Sequence, residues 1–192
     1  MKSLCVYCSS SDRLDKKYFA AAELVGGGIA ERGWTLVYGG GRSGLMGAVA
    51  RAAKAGGGRV VGVIPEFMKV RELAFTEADE LISVLTMRER KMLMETRADA
   101  FVALPGGWGT LEELLEVLTL AHLDVLRKPV VILNQDGYYD ELLALFARII
   151  REKFMHDAIR GKFAVAQAPG EIFDLVENWR EAAAGQSWFQ TR

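Results

Sequence analysis

The stretch ADAFVALPGGWGTLEELLEVLTLAHL, residues 98–123, decides the fold. Its first part is apolar almost throughout, with no polar alternation, as strands covered on both faces are. Pro105, Gly106, Gly107 and Gly109 then break the run with turn chemistry. An amphipathic helical pattern follows at once in TLEELLEVLTLAHL. Strand, tight turn and helix in that order form the repeating unit of a parallel sheet.

The same grammar extends to both sides. Apolar, strand-like runs lie at residues 3–9, 34–40, 59–65, 80–86, 100–106 and 129–134. Helical patterns alternate with them at 18–33, 45–55, 88–98, 110–123 and 138–154. A late pair, KFAVAQA and EIFDLVENWREAA, completes the chain. The expectation is an α/β fold: a Rossmann-like, doubly wound parallel sheet flanked by helices, with right-handed crossovers. The 192 residues suit a single nucleotide-binding domain spanning 1–192, with about 181–192 as a loosely held tail.

Composition narrows the function. Half the chain is hydrophobic and the net charge is −1, so the positive excess of a nucleic-acid binder is missing and no nucleic-acid partner is expected. No apolar run approaches a membrane span, so no membrane partner is expected, and MKSLCVYCSS reads as a first strand rather than a signal peptide. A cytoplasmic location is expected. Cys5 and Cys8 are the two cysteines. An offset of three in a strand sends them to opposite faces, so they read as two reduced thiols without a shared role. No second pair accompanies them, and His122 and His156 have no partner pattern, so no metal site is expected.

Three segments carry chemistry. In YGGGRSGLMGAVA, residues 38–50, a strand ends in glycines and a helix starts near Leu45. Gly39, Gly41 and Gly44 form G-x-G-x-x-G, and backbone amides at such a junction can hold a phosphate. Gly40 and Gly41 are candidate phosphate-loop residues, and Ser9, after the first strand, could add a hydroxyl. The dinucleotide fingerprint usually follows strand one, and this one follows strand two; a tight turn with close helix packing is the plainer reading. Nearby, Gly26, Gly27 and Gly28 interrupt the first helix pattern at about 1 kcal/mol each. That implies either a weak helix or a very close neighbour.

The second segment is PGGWGTLEE, residues 105–113. Its amides meet a helix N-terminus at the carboxyl end of a strand, where open α/β sheets bind ligands. Thr110 and Glu113 also fit a capping box, with Thr110 as N-cap. A carboxylate one turn into the helix lies equally close to whatever the loop holds. Glu112 points about 100° away and cannot replace it. In the third segment, residues 86–101, Arg88, Arg90, Lys91 and Arg97 share a short helix starting on the same rim. Met87, Met92, Leu93 and Met94 between them read as core.

Together, PGGWGTLEE and the preceding Met87-Arg88-Glu89-Arg90-Lys91 resemble the LONELY GUY family of cytokinin riboside 5′-monophosphate phosphoribohydrolases, also labelled lysine decarboxylases. CVYCSS, YGGGRSGLMGAVA, ADAFVALPGG and DGYYDELL extend the resemblance over nearly the whole chain. It implies hydrolysis of the N-glycosidic bond of adenosine 5′-monophosphates, N6-modified or not, to free base and ribose 5-phosphate, with no cofactor. It implies that Arg90 and Glu113 are the catalytic pair. It implies that Lys91, Gly106, Gly107, Gly109, Thr110 and Thr119 line the nucleotide site, with Glu72 near sugar or base. It also implies a homodimer with the site near the interface. One departure is Arg88, where the family often carries His. The competing reading is a non-catalytic carrier of the molybdenum-cofactor type, which has no need of the Arg-Lys pair with Glu113. A pyridoxal-phosphate decarboxylase would need a lysine placed for a Schiff base, and no segment offers one.

Overall fold

The computed structural model describes residues 2–69 and 74–179. Glu72 and the expected tail lie outside the described residues. The chain runs β1 (Ser3–Tyr7), α1 (Lys16–Glu31), β2 (Thr35–Tyr38), α2 (Gly44–Ala55), β3 (Arg59–Pro65), the single turn α3 (Glu66–Lys69), β4 (Glu80–Val84) and α4 (Met87–Arg97). It continues as β5 (Ala100–Ala103), α5 (Trp108–His122), β6 (Val130–Leu133), α6 (Asp140–Arg151), β7 (Ala164–Ala166) and α7 (Glu171–Glu177). Short 3-10 turns at Gln135–Gly137 and Asp157–Lys162 flank α6.

The seven strands form one parallel sheet in the order β4-β3-β2-β1-β5-β6-β7. The doubly wound sheet expected from the alternation is the one observed. The chain winds outward from β1 to one edge, then returns to lay β5 beside β1, pairing Leu4 with Ala100 and Tyr7 with Ala103. The order reverses there, and the carboxyl ends of β1 and β5 splay their loops apart into a crevice. Strand side chains alternate between two cores. Leu4, Val6, Leu36 and Tyr38 face α1, α2 and α7, and Cys5, Tyr7, Val37 and Phe101 face α4 and α5. Burial on both faces explains why the strands read as unbroken apolar runs.

Cys5 and Cys8 belong to these opposite cores, and both thiols are free and pushed up by burial. The glycines of α1 are explained by close approach. A Cβ on Gly26 would overlap the Val49 carbonyl and lie 2.8 Å from Ala52 Cβ, so α1 and α2 pack backbone to backbone. A Cβ on Gly28 would enter the Phe173 ring. Gly27 faces open space, and nothing in the described structure explains it. The methionines of α4 divide in a way the sequence did not suggest. Met94 is core, whereas Met87 and Met92 are exposed, because α4 offers the sheet only a narrow buried face that includes Arg90.

Candidate active site

A cavity of about 290 Å³ opens at the switch point. The segment after β1 (Cys8 to Ser11), Gly39 after β2, Arg90 on α4, and Gly107 to Thr110 with Glu113 on α5 form its walls. Three helices begin near this rim, and their N-termini differ. On α4 the end is closed by a capping box: Thr86 Oγ1 accepts from Glu89 N at 3.1 Å, and Glu89 Oε2 accepts from Thr86 N at 3.3 Å. On α2 the end is closed by the β1 segment. Gly44 N donates to Asp12 Oδ1 at 2.7 Å, Leu45 N and Met46 N donate to the Ser9 carbonyl, and Gly47 N donates to Ser43 O. On α5 the cap is Gly107, which has no side chain to offer, and the amides of Trp108, Gly109 and Thr110 have no acceptor among the described residues. Orphan amides at a helix start, with the positive end of its dipole, form a seat for an anion.

The capping box expected at Thr110 and Glu113 is therefore not made. Thr110 lies inside α5, against Gly106, where a Cβ would overlap its side chain. Glu113 is free to turn inward. Its Oε1 accepts from Arg90 Nη1 at 2.6 Å, and each residue is only 7 % exposed. Arg90 Nε donates to the Val63 carbonyl at 3.1 Å, which ties the guanidinium to β3. A side chain at Gly39 would collide with Arg90 Nη2, so this glycine makes room for the arginine. Burial pushes the Glu113 carboxyl above its ordinary value, and the Arg90 charge pulls the other way without cancelling the shift. A buried ion pair rarely repays its desolvation in stability. This one holds a carboxylate in a crevice, and three guanidinium N–H groups have no acceptor among the described residues.

Other sequence candidates are distributed unevenly. Ser9, Gly107, Gly109 and Thr110 line the cavity with Arg90 and Glu113. Gly106 is adjacent, its carbonyl accepting from Tyr138 Oη at 2.8 Å. Gly40 and Gly41 turn away from it: the Gly40 carbonyl accepts from Phe75 N, and Gly41 bridges to Ala74. Lys91 is held by Glu112 and by Glu116, the latter at 3.0 Å. Burial opposes its charge, the two carboxylates outweigh that, and its ammonium is held above the ordinary lysine value. Thr119 sits six residues along α5 from Glu113, on the outer surface, donating to Leu115 O at 2.7 Å. Arg88 is exposed.

Some contributors had no sequence signal beyond the DGYYDELL likeness. Tyr139 Oη donates to the Leu104 carbonyl at 2.7 Å, so with Tyr138 two phenols brace the loop leading into α5. Asn134 fixes them in turn, accepting from Tyr139 N at 2.7 Å and donating to Asp140 at 2.8 Å. Met46, Met68, Met87 and Trp108 give the cavity an apolar wall. Among the described residues no group of three or more His, Cys, Asp or Glu side chains converges, and the lining contains no lysine.

The profile of a family described as "Possible lysine decarboxylase" matches residues 46–176. A probable cytokinin riboside 5′-monophosphate phosphoribohydrolase of Oryza sativa subsp. japonica is 45 % identical over 178 residues, covering 93 % of this chain and 72 % of that protein. A cytokinin riboside 5′-monophosphate phosphoribohydrolase of Arabidopsis thaliana is 44 % identical over 178 residues, covering 93 % and 82 %. Among solved structures, a molybdenum cofactor carrier protein from Chlamydomonas reinhardtii superposes with a TM-score of 0.73 at 23 % identity, covering 93 % of this chain and 97 % of that one. A molybdenum cofactor binding protein from Rippkaea orientalis gives 0.71 at 22 %. At that identity the structures speak for the fold, and the sequence relatives speak for the family. The absence of a lining lysine leaves the decarboxylase label without an amine for a Schiff base. On its profile match and its identity to these relatives over nine-tenths of its length, the chain belongs to the LONELY GUY family of cytokinin riboside 5′-monophosphate phosphoribohydrolases.

Proposed function

We propose that the chain hydrolyses the N-glycosidic bond of adenosine 5′-monophosphates, AMP and N6-substituted forms, giving free base and ribose 5-phosphate. The observation that carries this reading is the buried Arg90–Glu113 pair, set in one cavity with the three unengaged amides of α5. The names of the relatives point the same way.

The chemistry follows from the charges. The C1′–N9 bond breaks, its electron pair leaves with the base, and positive charge develops at C1′ and the ring oxygen. A carboxylate beside C1′ stabilises that charge and accepts a proton from the attacking water. Glu113 is the carboxylate for this task, and its raised pKa makes it a better base than an exposed glutamate. Arg90 favours its ionised form and presents remaining N–H groups to substrate oxygens or the departing base. A guanidinium with a pKa above about 12 does not donate the proton to the base, so water supplies it. The amides of Trp108, Gly109 and Thr110 hold the 5′-phosphate. That remote binding energy positions the sugar over Glu113.

The working form in this reading is a homodimer. Helix α6 is strongly amphipathic, yet none of its residues is buried. With Leu115, Leu118 and Thr119 of α5 it borders an apolar groove of about 120 Å³. A second copy on this face would cover the groove and bring Thr119 to the interface, and a sedimentation measurement reads the stoichiometry.

The test of function is incubation of the purified protein with AMP and with isopentenyladenosine 5′-monophosphate. Release of base and ribose 5-phosphate from either establishes the activity, and the rate ratio gives base preference. Tight binding with no release replaces it with the carrier reading.

A further inference from the structure

Trp108 is 90 % exposed, although it is the largest apolar side chain on the cavity wall. It stands at the first position of α5 between Gly107 and Gly109, and a Cβ on either glycine would meet nothing within 4 Å. Nothing on its own element covers the indole. Aromatic side chains gain much of their stabilisation from buried area, so an indole held in water at the mouth of a site has free energy to release on contact with a ligand.

The rest of the wall indicates which ligand. The lining combines polar groups (Arg90, Glu112, Glu113, the serines Ser9 to Ser11, Thr110 and the amides of α5) with apolar ones. The other side chains facing it include the thioethers of Met46, Met68 and Met87. Sulfur and indole are polarisable and adapt to a flat aromatic partner. A nucleoside monophosphate has the matching polarity, with phosphate and ribose at one end and a planar base at the other. With the phosphate on the α5 amides and C1′ at Glu113, the base is left to the apolar wall. We propose that Trp108 is the platform on which the purine of the bound nucleotide stacks, and that it sets the preference for a large, flat base. This rests on the reading of the cavity as a nucleotide site.

Base-on-aromatic stacking is typically lost with a five- to hundredfold drop in affinity (about 1–3 kcal/mol by alanine substitution). Trp108→Ala in the whole protein is therefore expected to raise KM for AMP about five- to hundredfold. Inhibition by ribose 5-phosphate, which has no base, is expected to stay unchanged, and Trp108→Phe should restore most of the affinity for AMP. An equal weakening toward both ligands overturns the proposal, since Trp108 would then be shaping the phosphate loop. So does an unchanged KM for AMP. A shift of Trp108→Ala from oligomer to monomer in light scattering overturns it too, because a second copy would then be what covers the indole. If the wild type releases no adenine, hydrolysis fails on its own and stacking is still read directly. AMP should quench the tryptophan fluorescence of the wild type and leave that of Trp108→Phe unchanged; equal quenching of both proteins overturns the platform.

Discussion

Two glycine-rich turns, at residues 38–50 and 104–116, stand on either side of β1, and by sequence they are near equivalents. Both join a parallel strand to a helix at the carboxyl rim. In the structure one is closed and the other open. The first four amides of α2 are all engaged, by Asp12, by Ser9 and by the turn itself, and a Cβ on Gly44 would lie 2.5 Å from the Ser10 carbonyl carbon. The amides of Trp108, Gly109 and Thr110 have no acceptor among the described residues, and Gly107 and Gly109 face open space. Glycine meets packed protein at Gly44 and Gly47 in the first turn and open space at Gly107 and Gly109 in the second. A motif of glycines before a helix identifies a place where backbone comes close to something; whether that is protein or ligand depends on what the preceding strand's loop does.

The largest test of this division falls on the open turn. Glu113→Gln keeps an oxygen for Arg90 and removes the charge. It is expected to lower kcat by about 10³-fold, in the range for loss of a general base, with AMP binding retained. Turnover at the wild-type rate would break the assignment. The pH profile gives an independent reading. With Glu113 as the proposed base, the reaction would need its ionised form, so kcat should fall as pH drops through a pKa raised above the ordinary 4.5. Arg90 favours the ionised form, so Arg90→Gln should move this acid limb to still higher pH; a limb that moves down or stays fixed contradicts the pair.

The closed turn should answer in stability instead. Gly44 has φ +59, and alanine there adds backbone strain to a collision with the segment after β1. Gly44→Ala is expected to cost about 3 kcal/mol or more in urea unfolding. Gly109→Ala is the opposite experiment. Its Cβ meets no protein atom, and alanine is the better helix former by about 1 kcal/mol, so the melting temperature should hold or rise. The methyl group would stand beside the amides of the proposed phosphate seat, and KM for AMP should rise about tenfold, the scale of one weakened charge-assisted hydrogen bond. If Gly109→Ala unfolds the protein and Gly44→Ala spares it, the two turns have been assigned the wrong way round.

The strand–helix alternation was legible because every strand is buried on both faces and reads as an apolar run. Crowding at Gly26 and Gly28 was one of two readings left open. What was not legible depends on contacts distant in sequence. Thr110 with Glu113 and Thr86 with Glu89 share one spacing, and only the second pair forms a capping box. The difference is where the helix starts: α5 begins at Trp108 with Gly107 as its cap, so Thr110 lies inside it, and Glu113 pairs instead with Arg90, 23 residues away. Of α2's amides, that of Gly44 is taken by Asp12, 32 residues away, and those of Leu45 and Met46 by the Ser9 carbonyl. Met87 read as core by type, but it sits on the rim because α4 buries a narrow stripe. The phenols of Tyr138 and Tyr139 reach carbonyls more than 30 residues back, which no local pattern encodes.

Asp12 is the smallest lever and separates the two turns most cleanly. Its carboxylate sits at the start of α2, accepting from Gly44 N at 2.7 Å, as a capping side chain would, although it comes from another segment of the chain. Losing such an acceptor at a helix start costs about 1 kcal/mol, or some 2–4 °C in Tm for a chain of this size. Asp12→Ala should show that loss, with kcat on AMP unchanged, since Asp12 does not line the cavity. The freed amide also gives a sharper readout. If closure by Asp12 is what keeps the α2 terminus from acting as an anion seat, opening it should let inorganic phosphate stabilise Asp12→Ala more than it stabilises the wild type. Equal stabilisation of both proteins would mean that the Ser9 carbonyl and the packing at Gly44 suffice to keep anions out, and that the carboxylate serves only as a cap.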